Sequence, residues 1–100
     1  MIMNKYERME RLAERQREKY PPGTRLMLLH MNDPFAPVEP GTRGTVKSID
    51  SMAQIHMRWD NGRTLALNSE EDAFRLLTLE ELAEEQHIAE QDRDYPVMGM

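Results

Sequence analysis

An alternating stretch that ends in an Asn-Gly turn constrains this chain more than any other feature of its sequence. From Gln54 to Asp60 the residues read QIHMRWD, with the larger apolar side chains at every second position, and Asn61-Gly62 follows directly. A period of two is typical of a strand with one buried face. Asn-Gly favours a type I′ turn, because both residues tolerate positive φ. We therefore predict a β-hairpin that returns through residues 64–68.

Short apolar segments separated by turn residues make up the rest of residues 20–77. With the hairpin they give five predicted strands, at residues 24–31, 43–49, 54–60, 64–68 and 74–77. A small sheet has exposed edges unless it closes on itself, so we predict a barrel. The long first loop, the tight Asn-Gly turn and a short helical turn before the last strand are typical of a five-stranded SH3-like barrel. Gly44 marks a bend or a close approach in it. The predicted core consists of Leu26, Leu28, Val46, Ile55, Met57, Trp59, Leu65, Leu67, Phe74 and Leu76.

A helix is predicted on each side of the barrel. Residues 3–19 lack glycine and proline and are rich in good helix formers. The sequence TLEE, starting at Thr78, matches a capping box and predicts a second helix over residues 78–92. Its inward side is predicted to consist of Leu79, Leu82 and Ala83. The class is mainly β, and the chain divides into an N-terminal helix (1–19), the barrel (20–77) and an acidic C-terminal helix and tail (78–100).

Negative charge is concentrated at the C-terminal end. The chain carries a net charge of −5, of which residues 1–19 contribute +2 and residues 78–100 contribute −6. Helices of opposite charge favour packing against each other or on a second copy, as a homodimer. Nucleic acid is the less favoured partner, because phosphate neutralisation drives DNA binding and calls for a basic protein.

Neither a membrane segment nor a disulfide framework is predicted. The sequence has no run of about 18 apolar residues, and its first residues do not form a signal-peptide pattern. It contains no cysteine. We expect a cytoplasmic protein that does not act at a membrane.

Several motifs occur in a fixed order across residues 20–77. YPPGTR starts at Tyr20, HMNDPFAPV at His30, PGTRGTV at Pro40 and IHMRWDNGRTLAL at Ile55. In this order they resemble a family of small bacterial proteins catalogued as a domain of unknown function and common in phages and conjugative elements. The resemblance implies an accessory protein of a mobile genetic element, with no established catalytic role. More distantly, GTRGTV and RWDNG are similar to the strand-turn pattern of KOW-type barrels.

The sequence contains no recognisable catalytic or metal-binding constellation. Its serines lack the nucleophile-elbow pattern, and PGTRGT lacks the Lys-Ser/Thr ending of a phosphate-binding loop. No zinc-ligand spacing occurs. Consecutive carboxylates at helix starts are explained by the helix macrodipole. We therefore expect a protein that is not an enzyme and that uses no metal and no cofactor.

The leading hypothesis is a non-enzymatic protein-interaction module that inhibits or modulates a host protein. The loop over residues 32–41 contains three prolines, and a stiffened loop loses less entropy when it binds. In the alternative, Phe35 and Val38 fold back to plug one end of the barrel. The candidate contact residues are Asp33, Phe35 and Val38 in the loop and Glu80, Glu81, Glu84 and Glu85 on the C-terminal helix.

The second hypothesis is a nucleic-acid-binding barrel with a regulatory role. Its candidate residues are Arg43, Lys47, Arg58 and Arg63, with Arg25 as a further member. Phe35 and His56 would supply flat groups for base stacking. Carboxylates are interleaved with these cations along the chain, which favours ion pairing within the protein instead.

Overall fold

The fold was obtained as a computed structural model, which describes residues 2–32, 35 and 38–87. It consists mainly of β-strands with two helices. The second helix covers residues 79–87 of the described part, and we call it the acidic helix. The other elements are α1 (Lys5–Lys19), β1 (Arg25–His30), β2 (Arg43–Ile49), β3 (Gln54–Trp59), β4 (Leu67–Asn68) and β5 (Ala73–Leu76).

The five strands form one antiparallel sheet in the order β4-β3-β2-β1-β5. The mainly β class and the number of strands are thereby confirmed. The closed barrel is not confirmed, because β4 and β5 are the two edges of the described sheet and do not pair with each other. β4 is also shorter than predicted. The reason is that the chain before it bonds to Trp59 instead, whose indole Nε1 donates to the Leu65 carbonyl at 2.8 Å.

One face of the sheet carries the core. Trp59 is 1% exposed and lies in a row with Gly44 and Leu26 across β3, β2 and β1. Leu76 continues this row onto β5, yet it is 45% exposed because β5 is an edge strand, so its assignment to the core was wrong. The other predicted core residues are buried or packed against the core: Leu26, Leu28, Val46, Ile55, Met57, Trp59, Leu65, Leu67 and Phe74.

Helix α1 completes the core by packing against β2. It begins at the N-cap Asn4, whose side chain accepts a hydrogen bond from the Glu7 amide at 2.8 Å. Ala13 is fully buried in the same cluster as the sheet residues. At its end the Tyr20 ring meets Phe74 of β5 edge to face, with centroids 5.5 Å apart. The helix is therefore anchored to both β2 and β5.

The turn after β3 differs from the predicted type I′ turn. Of its two central residues only Gly62 has a positive φ, of 90°. The Gly62 amide donates to the Trp59 carbonyl, and the Trp59 amide donates to the Arg63 carbonyl at 2.8 Å. A three-residue loop of this kind places glycine, and not asparagine, in the left-handed region. The hairpin prediction holds, while the turn type was wrong.

Candidate functional site

Four arginines lie on the face of the sheet opposite to the core, one on each of four neighbouring strands. Met27 of β1 pairs with Arg43 of β2 on one side and with Arg75 of β5 on the other. Thr45 of β2 pairs in the same way with arginines of β1 and β3. Paired residues of antiparallel strands share a face, and two strand spacings put the arginines of one row about 10 Å apart. We call these residues the arginine face: Arg25, Arg43, Arg58 and Arg75.

The acidic helix starts on the arginine face through Glu81. This carboxylate accepts two hydrogen bonds from Arg75, Nη1 to Oε1 at 2.7 Å and Nη2 to Oε2 at 3.0 Å. Arg43 Nη2 lies 3.7 Å from the same carboxylate. Glu81 Oε1 also accepts from the Thr78 amide at 2.8 Å, and Thr78 Oγ1 accepts from the Glu81 amide at 3.0 Å. The predicted capping box is therefore formed, and its glutamate also binds the sheet.

One helical turn later, Glu85 makes a second contact with the arginine face. It accepts hydrogen bonds from Nε and Nη2 of Arg25, the first at 3.1 Å, and from Arg43 Nη1 at 3.4 Å. Arg25 also donates to both oxygens of Asp60, at 2.7 and 2.6 Å, and to Thr45 Oγ1 at 3.1 Å. All three nitrogens of this guanidinium therefore have acceptors.

The arginines stabilise the charged form of these carboxylates. Hydrogen bonds from Arg75, and then from the Thr78 amide, lower the pKa of Glu81 from 4.5 to about 2. Arg25 lowers the pKa of Asp60 and of Glu85 in the same way. In return Asp60, and after it Glu85, raise the pKa of Arg25. The lowered pKa values keep these carboxylates charged further into the acidic range, and the contact between the acidic helix and the sheet is ionic.

The helix is turned the other way round from the predicted orientation. Leu79 is 85% exposed and Leu82 is 38% exposed, and Ala83 is exposed as well. With 3.6 residues per turn, a helix that points Glu81 and Glu85 at the sheet turns Leu79 and Ala83 to its opposite side. The prediction that the leucines face inward was wrong, because the carboxylates bind the three arginines that folding brings together.

The proline-rich loop divides its candidate residues between surface and core. Val38 is 3% exposed and belongs to the core cluster. Phe35 is 90% exposed. Asp33 lies outside the described residues. Val38 thus plugs the core, as in the alternative prediction for this loop, while Phe35 is at the surface.

The candidate cations for nucleic acid occupy three different settings. Arg43 is bound by Glu81 and Glu85. Lys47 occupies a bulge in β2, Arg58 lies on β3, and both side chains are exposed. Arg63 is exposed in the turn after β3. Arg58 therefore shares a face with Arg43, whereas Arg63 lies beyond the end of the strand.

Sequence reasoning missed Arg75 as a member of this surface. Its alternation with Phe74 and Leu76, which lie in the rows of the core face, was the signal that could have placed it on the opposite face. The edge strand is only four residues long, so this signal is short.

A groove and a His–Asp pair lie outside the arginine face. A groove of about 280 Å³ lies between α1 and the segment before β5, and its lining consists of Met3, Arg8, Met9, Arg11, Leu12, Arg15 and Glu70. His56 Nε2 lies 2.8 Å from Asp50 Oδ2, and Asp50 also accepts from two amides of its own turn. Among the described residues, no group of three or more His, Asp and Glu side chains could hold a metal ion. Within the same residues, no helix is long and apolar enough to cross a membrane.

Comparison with known proteins gives one match. Residues 8–77 match a family model described as "Domain of unknown function (DUF4314)". No curated protein and no solved structure matches the chain. The family match begins inside α1 and ends at Leu77, one residue after β5 and two residues before the acidic helix.

Proposed function

This chain belongs to the DUF4314 family, whose description carries no activity, and we propose that it is a non-enzymatic protein-interaction module. Its proposed contact surface is the outward side of the acidic helix. The exposure of Leu79, at 85%, supports this proposal, since the same helix uses its carboxylates and not its leucines to bind the sheet. Amphipathic helices that leave an apolar side uncovered are suited to dock in a groove of a partner.

The outward side has the pattern expected of such a helix. Leu79, Leu82 and Ala83 follow the i, i+3, i+4 spacing, and Glu80 and Glu84 are exposed beside them. A partner that fits this surface has an apolar groove with a basic rim. Because the capping box and the arginine face already hold the helix in shape, less entropy is lost when it binds.

The proposed setting is the cytoplasm of a bacterium that carries a phage or another mobile genetic element, where the protein inhibits or modulates a host protein. The order of motifs over residues 20–77 supports this setting. We also propose that the sheet is related to SH3-like and KOW-type barrels. The pairing of β1 with β5 supports this relation, because joining the first strand to the last is the step by which a five-stranded meander begins to close.

Capture from a host lysate by the immobilised full chain tests the proposal. The test variant is Leu79→Ser/Leu82→Ser, and the matched control is Leu29→Ser, which alters an exposed leucine on β1. We expect a defined host protein to be retained by the wild type and the control and lost by the test variant, while all three give the same circular dichroism spectrum. Equal retention by the test variant would exclude this surface. Light scattering of the purified chain identifies the alternative partner, a second copy bound through the terminal helices.

A second candidate function is nucleic-acid binding with a regulatory role. Lys47, Arg58 and Arg63 support it, because all three are exposed and none forms an ion pair with another described residue. A mobility-shift assay with single- and double-stranded DNA and RNA tests it over a range of salt. Binding that weakens steeply with salt and is abolished by Arg58→Glu supports this function. No binding at low salt contradicts it.

A further inference from the structure

We propose that the arginine face is a binding site for the phosphate backbone of a nucleic-acid duplex, and that the acidic helix occupies this site as an intramolecular competitor. The inference rests on the second candidate function. It adds Arg75 to the candidate arginines, and it identifies Glu81 and Glu85 as the groups that a bound phosphate displaces.

The contacts made by the helix show that the arginine face binds carboxylate groups. Two carboxylates bridge three guanidiniums, with Glu81 between Arg75 and Arg43 and Glu85 between Arg43 and Arg25. A guanidinium offers the same forked pair of donors to a phosphate as to a carboxylate. The two glutamates are one turn apart, about 6 Å along the helix, a separation on the scale of neighbouring phosphates in a strand. The arginine face is therefore suited to consecutive anionic groups.

The composition of the two rows favours the backbone over the bases. Between the arginines stand Met27 in one row and Thr45 in the other, and none of these described positions carries an aromatic ring. Proteins that bind single strands use aromatic side chains as stacking platforms for the bases. His56 lies on the same face as Arg58, and its ring is held by Asp50 at 2.8 Å. With no ring in the two arginine rows, binding depends on phosphate contacts, which are independent of sequence and dense along a duplex.

The helix is held in a way that a polyanion can reverse. Its contact with the sheet is ionic, the paired side chains remain 18–39% exposed, and a polyanion can compete directly for the same guanidiniums. Leu79 is exposed, so it adds little buried apolar surface that would hold the helix on the sheet. The nine described residues of the acidic helix are too few to persist as a helix in water without tertiary contacts, so we expect this segment to unfold when it is displaced. Asp60 remains beside Arg25 after displacement, and Arg43, Arg58 and Arg75 then provide most of the free positive charge.

Fluorescence anisotropy with a short labelled DNA duplex of mixed sequence tests the competition on the full chain. Glu81→Gln/Glu85→Gln removes both bridging charges, and glutamine keeps the capping box intact at position 81. We expect this variant to bind about tenfold more tightly than the wild type at low salt. The matched control, Glu80→Gln/Glu84→Gln, makes the same change in net charge on exposed residues of the same helix. Its gain in affinity should be much smaller than that of the test variant, because neither Glu80 nor Glu84 pairs with an arginine of the arginine face.

Two additions complete the test. Introducing Arg43→Gln and Arg75→Gln into the Glu81→Gln/Glu85→Gln variant should abolish the gain, and a single-stranded probe should bind more weakly than the duplex. An equal gain in affinity in both double variants would mean that the gain comes from net charge alone, and it would overturn the proposed competition. Duplex binding that is sensitive to Arg58→Glu but unchanged in Glu81→Gln/Glu85→Gln would overturn the inference and leave the second candidate function. No binding by any folded variant would overturn both.

Discussion

Arg75 and Glu81 meet through two parallel hydrogen bonds, of 2.7 and 3.0 Å, that join the last strand of the sheet to the acidic helix. The same carboxylate accepts from the Thr78 amide and so closes the capping box. A single side chain therefore fixes both where the helix begins and which of its sides faces the sheet. The orientation of the leucines follows from this contact.

The Arg75–Glu81 contact makes docking of the helix depend on pH. Arg75 lowers the pKa of Glu81 from 4.5 to about 2, so the contact contributes its full stability above the unfolded value and loses it as pH falls through the folded value. We expect the Glu81 carboxyl to titrate near pH 2 in an NMR experiment, with loss of helix signals between pH 4.5 and 2. In Arg75→Gln the titration midpoint of Glu81 should move up toward its ordinary pKa of 4.5. A wild-type midpoint already at the ordinary value would exclude the contact.

Arg25 and Glu85 should be energetically coupled. They are partly buried, with 19% and 28% of their side chains exposed, and they share two hydrogen bonds. A double-mutant cycle with Arg25→Gln and Glu85→Gln, measured by urea unfolding, should give a coupling of about 1 kcal/mol. Arg58 with Glu84 is the control cycle, since both are exposed and share no ion pair, and its coupling should be near zero. Equal coupling energies in the two cycles would contradict the contact between Arg25 and Glu85.

Gly44 should not tolerate a side chain. A Cβ at this position would lie 2.7 Å from Trp59 Cε3 and 3.1 Å from the Arg58 carbonyl oxygen. Because the indole is packed on all sides, we expect Gly44→Ala to lower the free energy of unfolding by about 1–3 kcal/mol in urea. Ser48→Ala, an exposed change on the same strand, should cost less than about 0.5 kcal/mol. Equal stability of the two variants would show that the ring does not lie against the Gly44 backbone.

The sequence was sufficient to predict the elements whose pattern lies within a few neighbouring residues. The alternation around Trp59 placed β3 and its buried side correctly. Gly44 was predicted to mark a bend or a close approach, and the structure shows the close approach, to Trp59. The TLEE pattern at Thr78 predicted the capping box that the structure contains. Each of these depends on neighbouring residues, so the pattern is complete within a few positions of the chain.

The orientation of the acidic helix could not be derived in this way. Its arginine partners come from β1, β2 and β5, and they form one surface only after the strands pair. A rule that turns apolar residues inward fails for Leu79. Burying two leucines would stabilise the docked helix less than its ionic contacts with three guanidiniums do. The core assignment of Leu76 failed for a related reason, since strand order decides which strand lies at the edge.

Hydrogen exchange of the amides in residues 79–87 tests most directly whether the acidic helix docks by its carboxylates. The comparison is between Glu81→Gln/Glu85→Gln and Glu80→Gln/Glu84→Gln, which have the same net charge. We predict that the first variant loses most of the protection seen in the wild type, while the second retains it and the amides of β2 remain protected in both. Retained protection in the first variant, or a loss shared equally by both, would contradict the docking of this helix through Glu81 and Glu85.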